Sequence, residues 1–150
     1  MSNLCEDREA IRHLMAVYNI NGDRGRVGAL ADAFAEDGVI EFSGVTTRGR
    51  AAIIERLSGG GGTKRNPALE VSRHHITTSL IEVEDDVAQA RTYFQVLTNE
   101  GLDHHGHYVD RLVRTDGRWQ IAHRQVRIDY QKADSLYPPF HVRGRAPASA

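Results

Sequence analysis

The residues that could do chemistry gather on one hairpin. The run Ser72 to Phe94, SRHHITTSLIEVEDDVAQARTYF, alternates β-branched and aromatic residues with polar ones on both sides of Glu84-Asp85-Asp86. That is the pattern of a strand (Val71 to Val83), a tight acidic turn and a returning strand from Val87. The first strand carries His74 and His75 side by side. Side chains alternate along a strand, so these two point to opposite faces, and one of them faces whatever the sheet encloses. Imidazole takes and gives protons near neutral pH, which makes an enclosed histidine a candidate general base. The competing reading is a surface or hydrogen-bonded structural histidine. A second run, Asp103-His104-His105-Gly106-His107, invites a metal reading. On a strand His105 and His107 share a face, but no third ligand accompanies them and the spacing matches no helical zinc motif. The expectation is therefore a solvated start of a strand, with no metal bound.

These side chains need elements to hold them. Between Glu6 and Asn21, Ile11, Leu14, Met15 and Tyr18 recur at helical spacing among charged residues, which predicts an amphipathic helix stopped by Gly22. Gly25 and Gly28 mark a short connection into a second helix, Val27 to Ala35, with Leu30 and Phe34 on one face. Asp37-Gly38 reads as a turn, Val39 to Phe42 as a short strand, Ser43 to Gly49 as a polar connection and Arg50 to Leu57 as a third helix. The glycine run within Ser58 to Lys64 follows a helix and lacks the Lys-Ser/Thr ending of a phosphate loop, so it reads as a mobile loop. Four long strands follow: the hairpin pair, His104 to Thr115, and Arg118 to Tyr130 across the turn Thr115-Asp116-Gly117. From Lys132 the tail has no helical or strand period and is expected to be extended and partly without order. Trp119 is expected in the core and Tyr137 to Phe140 as a lid.

Composition narrows the partners. A chain of 150 residues with 40% hydrophobic residues fits one domain, and a formal net charge of -1 with intermixed signs offers no footprint for nucleic acid or an anionic membrane. Small molecules, or further copies of the chain, are the expected partners. The lone Cys5 excludes an internal disulfide, the start MSNLCEDREA lacks an apolar run, and no stretch reaches bilayer-spanning length. The cytoplasm is the expected compartment.

Helices first and an antiparallel meander afterwards indicate an α+β domain with helices on one face of a curved sheet. With Tyr18 to Asp23, Phe34-Ala35-Glu36-Asp37-Gly38, Arg73-His74-His75, Gly106 to Asp110 and Gly117 to Arg124, this order resembles the nuclear transport factor 2-like superfamily and, within it, the SnoaL-like group. The resemblance covers about Glu6 to Lys132. It implies a cone-shaped barrel: three N-terminal helices on a curved, mostly antiparallel sheet around an apolar cavity. It divides the chain into one domain over 1–132 and an extended tail over 133–150.

The resemblance also implies roles. In dehydratases and a dehydrochlorinase of the group, the first strand of the long hairpin carries a cavity-facing histidine that acts as base, and Arg73-His74 stands in that place. His75 then points outward. An aspartate just beyond the first helix holds the imidazole, and Asp23 occupies its position, although Asp23 also reads as the N-cap of the helix beginning near Gly25. A tyrosine or lysine matches Tyr18, which as tyrosine would donate to a substrate oxygen, although it also completes the apolar stripe of its helix. Three further positions are assigned to substrate binding. Phe42 stands where a superfamily isomerase has its carboxylate. Asn99 is the polar residue nearest to Leu97, where some dehydratases carry a second histidine. Arg124 matches an arginine of the cavity wall.

The resulting expectation is a lyase or isomerase that needs no cofactor. It would abstract a proton from a small, apolar, oxygenated ring compound (steroid, terpenoid or polyketide-like), with dehydration the leading reaction. The alternative is a non-catalytic binding or assembly protein of the same fold. A homo-oligomer, trimer before dimer, is expected through the outer sheet face bearing Tyr93 and His105.

Overall fold

The apolar stripe on the first helix decides how the domain closes. In a computed structural model, which describes residues 3–60 and 65–144, α1 (Leu4–Asp23) buries Ile11, Met15 and Tyr18 against the sheet. Its start is capped by the Asn3 side chain, which accepts from the Cys5 N–H at 3.0 Å. The helix does not stop at Gly22. It continues to Asp23, and Gly25, at φ +68°, takes the left-handed turn beyond it.

The second helix is shorter than the periodicity suggests. α2 (Val27–Ala31) ends early, and Phe34 and Ala35 open β1 (Phe34–Phe42) instead. A five-residue helix has little cooperativity of its own, and the last strand offers a free edge: the Ile121 N–H donates to the Ala33 carbonyl at 2.8 Å. Asp37-Gly38 is likewise no turn between elements but a bulge inside β1, where the register slips between Phe34↔Ile121 and Val39↔His123. A Cβ on Gly38 would lie 2.8 Å from the Ala35 carbonyl oxygen, so only glycine fits there. The presumed polar connection after Phe42 is a hairpin. Ser43 and Gly44 both take positive φ and return the chain as β2 (Val45–Arg48).

α3 (Arg50–Glu55) runs on through a wider turn, Arg56–Gly60, in which Gly59, at φ +89°, breaks the helical path as the glycine run begins. The loop expected at Gly61 to Lys64 lies outside the described residues. Four strands then form the wall: β3 (Ser72–Glu84), β4 (Val87–Thr98), β5 (Gly101–Thr115) and β6 (Arg118–Gln131). The sheet order is β2-β1-β6-β5-β4-β3, antiparallel except for β1 beside β6. This is the expected α+β cone, with six strands in the sheet where the sequence shows five.

Two bulges aim the interior side chains. An extra residue on β3 between Ile76 and Ser79 switches parity, so that His74 and Ile76 face inward and, beyond it, so does Ile81. An extra residue on β5 between Leu102 and His104 puts Asp103 and His104 both out of solvent. The core of Ile11, Met15, Phe34, Ile40, Ile53, Leu112 and Ile121 closes the narrow end, and Trp119 joins it as expected. Each such fully buried aliphatic side chain contributes about 1.5–3 kcal/mol.

After β6 the chain packs back over the sheet. Leu136 is buried, and Gln131 holds the returning strap by donating to the Pro138 carbonyl at 3.0 Å and accepting from the Phe140 N–H at 2.9 Å. The expectation of an extended tail gives way to a packed one, because buried polar anchors on β5 and β6 replace the missing period. Its part beyond Gly144 lies outside the described residues. Among the described residues no helix is long and apolar enough to cross a membrane.

Candidate active site

The open end of the cone encloses about 300 Å³. His74, Tyr18 and Phe42 line it together with Phe94, His104, Tyr108, Tyr137 and Phe140. The walls are mostly apolar with a few converging polar atoms, the character of a small-molecule pocket.

His74 stands on β3 where the strand passes the C-terminal end of α1. Asp23 clasps it twice: the carboxylate accepts from the ring Nδ1 at 2.6 Å and from the His74 backbone N–H at 2.9 Å. A carboxylate acceptor fixes the proton on Nδ1 and leaves the Nε2 lone pair for a substrate. Asp23 is itself 8% exposed at its side chain and does not line the cavity, so it works behind the imidazole. Nor does it cap α2, whose N-cap is Arg26. The two positions meet because the carboxylate, on the last helical turn, needs only to reach a strand already packed against α1. His75 is exposed on the opposite face.

Tyr18 projects from α1 into the same space, edge-on to Phe34 and Tyr108. Burial raises its pKa, with the Arg124 guanidinium opposing, so it is a protonated donor at neutral pH. Tyr108 is held up more strongly by burial and gives its own hydroxyl proton to Asn19 Oδ1 at 3.0 Å.

Arg124 does not line the cavity. It lies fully buried below it, between the Tyr18 ring at 4.2 Å and the Tyr108 ring at 3.9 Å. Asp110 accepts from it at two points, 2.8 and 2.7 Å, so the charge is spent on a buried bidentate pair rather than on a ligand. Although burial works against its charge, Asp110 keeps its pKa raised. Asn99 is no cavity residue either. At the exposed β4–β5 turn its side chain accepts from the Glu70 N–H at 3.1 Å and donates to the Ala68 carbonyl at 3.1 Å, bracing the approach to β3. Phe42 does form wall, packed on Phe140 at 5.2 Å between ring centres.

One functional candidate escaped sequence reasoning. His104 is buried, not solvated, and its Nδ1 meets the neighbouring Asp103 at 2.7 Å. Burial lowers the His104 pKa despite that carboxylate. Asp103 also accepts from Ser135 Oγ at 2.7 Å and the Leu136 N–H at 2.9 Å, and although burial pushes its pKa up, these bonds hold it below the usual range. The only advance signal was the aspartate directly before the histidine. Among the described residues no group of three or more potential ligands is placed to hold a metal.

N-terminal helices packed on a six-stranded, mostly antiparallel sheet make this the nuclear transport factor 2-like fold. Within it the chain belongs to the SnoaL-like domain family, whose model matches residues 4–125. Among solved structures, a Mycobacterium tuberculosis protein of unknown function is 33% identical over 85% of this chain and 79% of its own, with a TM-score of 0.71. A candidate scytalone dehydratase from Novosphingobium aromaticivorans shares 23% identity over 95% and 96% of the two chains (TM-score 0.76). A hexachlorocyclohexane dehydrochlorinase from Novosphingobium barchaimii shares 21% over 90% and 97% (TM-score 0.71). The last two share the fold. No curated protein matches the chain.

Proposed function

We propose that the protein is a lyase or isomerase that removes a carbon-bound proton from a small, apolar, oxygenated ring compound, with loss of water as the leading reaction. The observation that carries this is the double clasp of Asp23 on His74, which fixes tautomer and orientation at once. His74 Nε2 takes the proton, the C–H electron pair becomes the new double bond, and the C–O bond breaks. The departing hydroxide takes the proton back from the imidazolium, which regenerates the base. Asp23 stabilises the imidazolium in between, and Tyr18 donates to the substrate oxygen that gains charge. Side chains of the chain suffice for each step, so no cofactor is assigned.

The reading is tested with a panel of hydroxylated cyclic ketones in deuterium oxide, followed by mass spectrometry for loss of water and for deuterium on carbon. Either signal should be present in the wild type and absent from His74→Ala. Saturable binding with neither signal would make the protein a non-catalytic binder of the same fold.

The proposal includes a homo-oligomer, trimer before dimer, assembled through the outer sheet face. Tyr93 stands 51% exposed there beside His105 and His107. His107, paired with Asp129 at 2.7 Å, keeps a buried Nε2 with no hydrogen-bond partner among the described residues. A second copy covering this face would bury the exposed tyrosine.

A further inference from the structure

His104 shares the cavity with His74 but is built differently. Its Nδ1 is taken by Asp103, and Nε2 has no hydrogen-bond partner among the described residues while the ring lines the cavity. The Tyr137 and Phe140 rings each stand edge-on to the imidazole at 4.9 Å, and Phe94 lies at 6.5 Å, so this nitrogen opens into an aromatic slot. Two of those rings come from the strap. Asp103 is therefore a hub: the carboxylate that sets the His104 tautomer also anchors Ser135 and Leu136. A second anchor joins the Tyr137 hydroxyl to Ser72 Oγ, two residues before His74.

We propose that His104 and the strap form a subsite for a ring hydroxyl, in which a phenol- or enol-type O–H donates to His104 Nε2 while its ring packs against Tyr137, Phe140 and Phe94. A neutral imidazole held at Nδ1 by a carboxylate offers only a lone pair at Nε2, so the group it selects must be a donor. An ether or ketone oxygen at that position would face lone pair to lone pair and leave the nitrogen unsatisfied. The strap rings supply apolar contact to a planar ligand, and Asp103, Gln131 and Ser72 together hold the strap that carries them. This rests on the reading of the cavity as the active site. It specifies the substrate class as a ring compound carrying a second, non-reacting hydroxyl.

The test is calorimetric binding of para-propylphenol, para-propylanisole and propylbenzene to the full chain. The phenol should bind about tenfold tighter than the other two, as one buried hydrogen bond allows. His104→Phe should erase that preference, His104→Gln, which keeps an acceptor, should retain part of it, and His74→Ala should leave it intact. Nitrogen NMR of the histidine side chains checks the wild type without any variant: the phenol should move the His104 Nε2 resonance. Equal binding of the three, no saturable binding, or a preference that follows His74 instead overturns the subsite. Loss of turnover in His74→Ala would still stand in that case, so the two readings fail separately.

Discussion

His74 and His104 occupy one row of the sheet, each in register with Val96 on the strand between them. Two strand spacings separate their backbones, about 9–10 Å, and Phe94 sits between the rings, 6.1 Å from one and 6.5 Å from the other. Each imidazole is tethered at Nδ1 by an aspartate from outside the row of three, one from a helix end and one from a bulge. The cavity thus holds two acceptor nitrogens with different backing, and the tests below separate them.

Turnover should fall by two to four orders of magnitude in His74→Ala, the range for loss of a positioned base, with somewhat less lost in Asp23→Asn. The double variant should be hardly worse than His74→Ala, because the pair acts as one unit. Tyr18→Phe should cost on the order of a hundredfold in kcat. Steady-state kinetics on an active ring compound decide this, and additive losses would separate Asp23 from the base.

Stability should fall as the solution is acidified through the ordinary histidine range. Burial lowers the His104 pKa from the ordinary histidine value of about 6.5, so below that pH the unfolded chain binds a proton that the folded chain resists. The contribution is complete above about pH 6.5 and shrinks as pH falls toward the depressed folded value. Asp103, whose pKa is also lowered, adds a second loss further into acid, below the ordinary carboxylate value of about 3.9. Urea midpoints between neutral and mildly acid pH should show the first slope, and His104→Phe should flatten it.

Gly106→Ala should be strongly destabilising, by roughly 2–4 kcal/mol, the upper range for a backbone clash in a packed sheet. A Cβ at this position would lie 1.9 Å from the Arg127 carbonyl oxygen, an atom of the neighbouring strand that cannot rotate away. Thermal unfolding measures it, and a midpoint unchanged from wild type would mean that β5 and β6 are not so closely paired there.

Assembly is checked by light scattering at micromolar concentration. A trimer is expected, otherwise a dimer, and Tyr93→Glu should dissociate it by placing an unpaired charge in the outer-face contact. A monomeric wild type would remove the outer face from the interface.

What the sequence by itself determined is whatever depends on short-range periodicity. Period two placed His74 and His75 on opposite faces, helical spacing placed Tyr18 inside with Ile11 and Met15, and the Asp116-Gly117 turn closed the last hairpin. The Ser43-Gly44 hairpin was read as a polar connection, because the four residues of β2 after it are too few to show alternation. Tertiary structure decided the rest. α2 ends at Ala31 because a strand edge competes for Phe34, a long-range pairing that local propensity does not contain. Arg124 was expected on the cavity wall through the family resemblance, yet its role depends on Asp110 and two rings that only the closed sheet brings around it. Asp103 and His104 are buried because a one-residue bulge interrupts the alternation and a strap without any period returns to bond the carboxylate. Alternation is a property of neighbouring residues, whereas a bulge and its anchor are set by the partner strand, so the second histidine could be found only once the chain was folded.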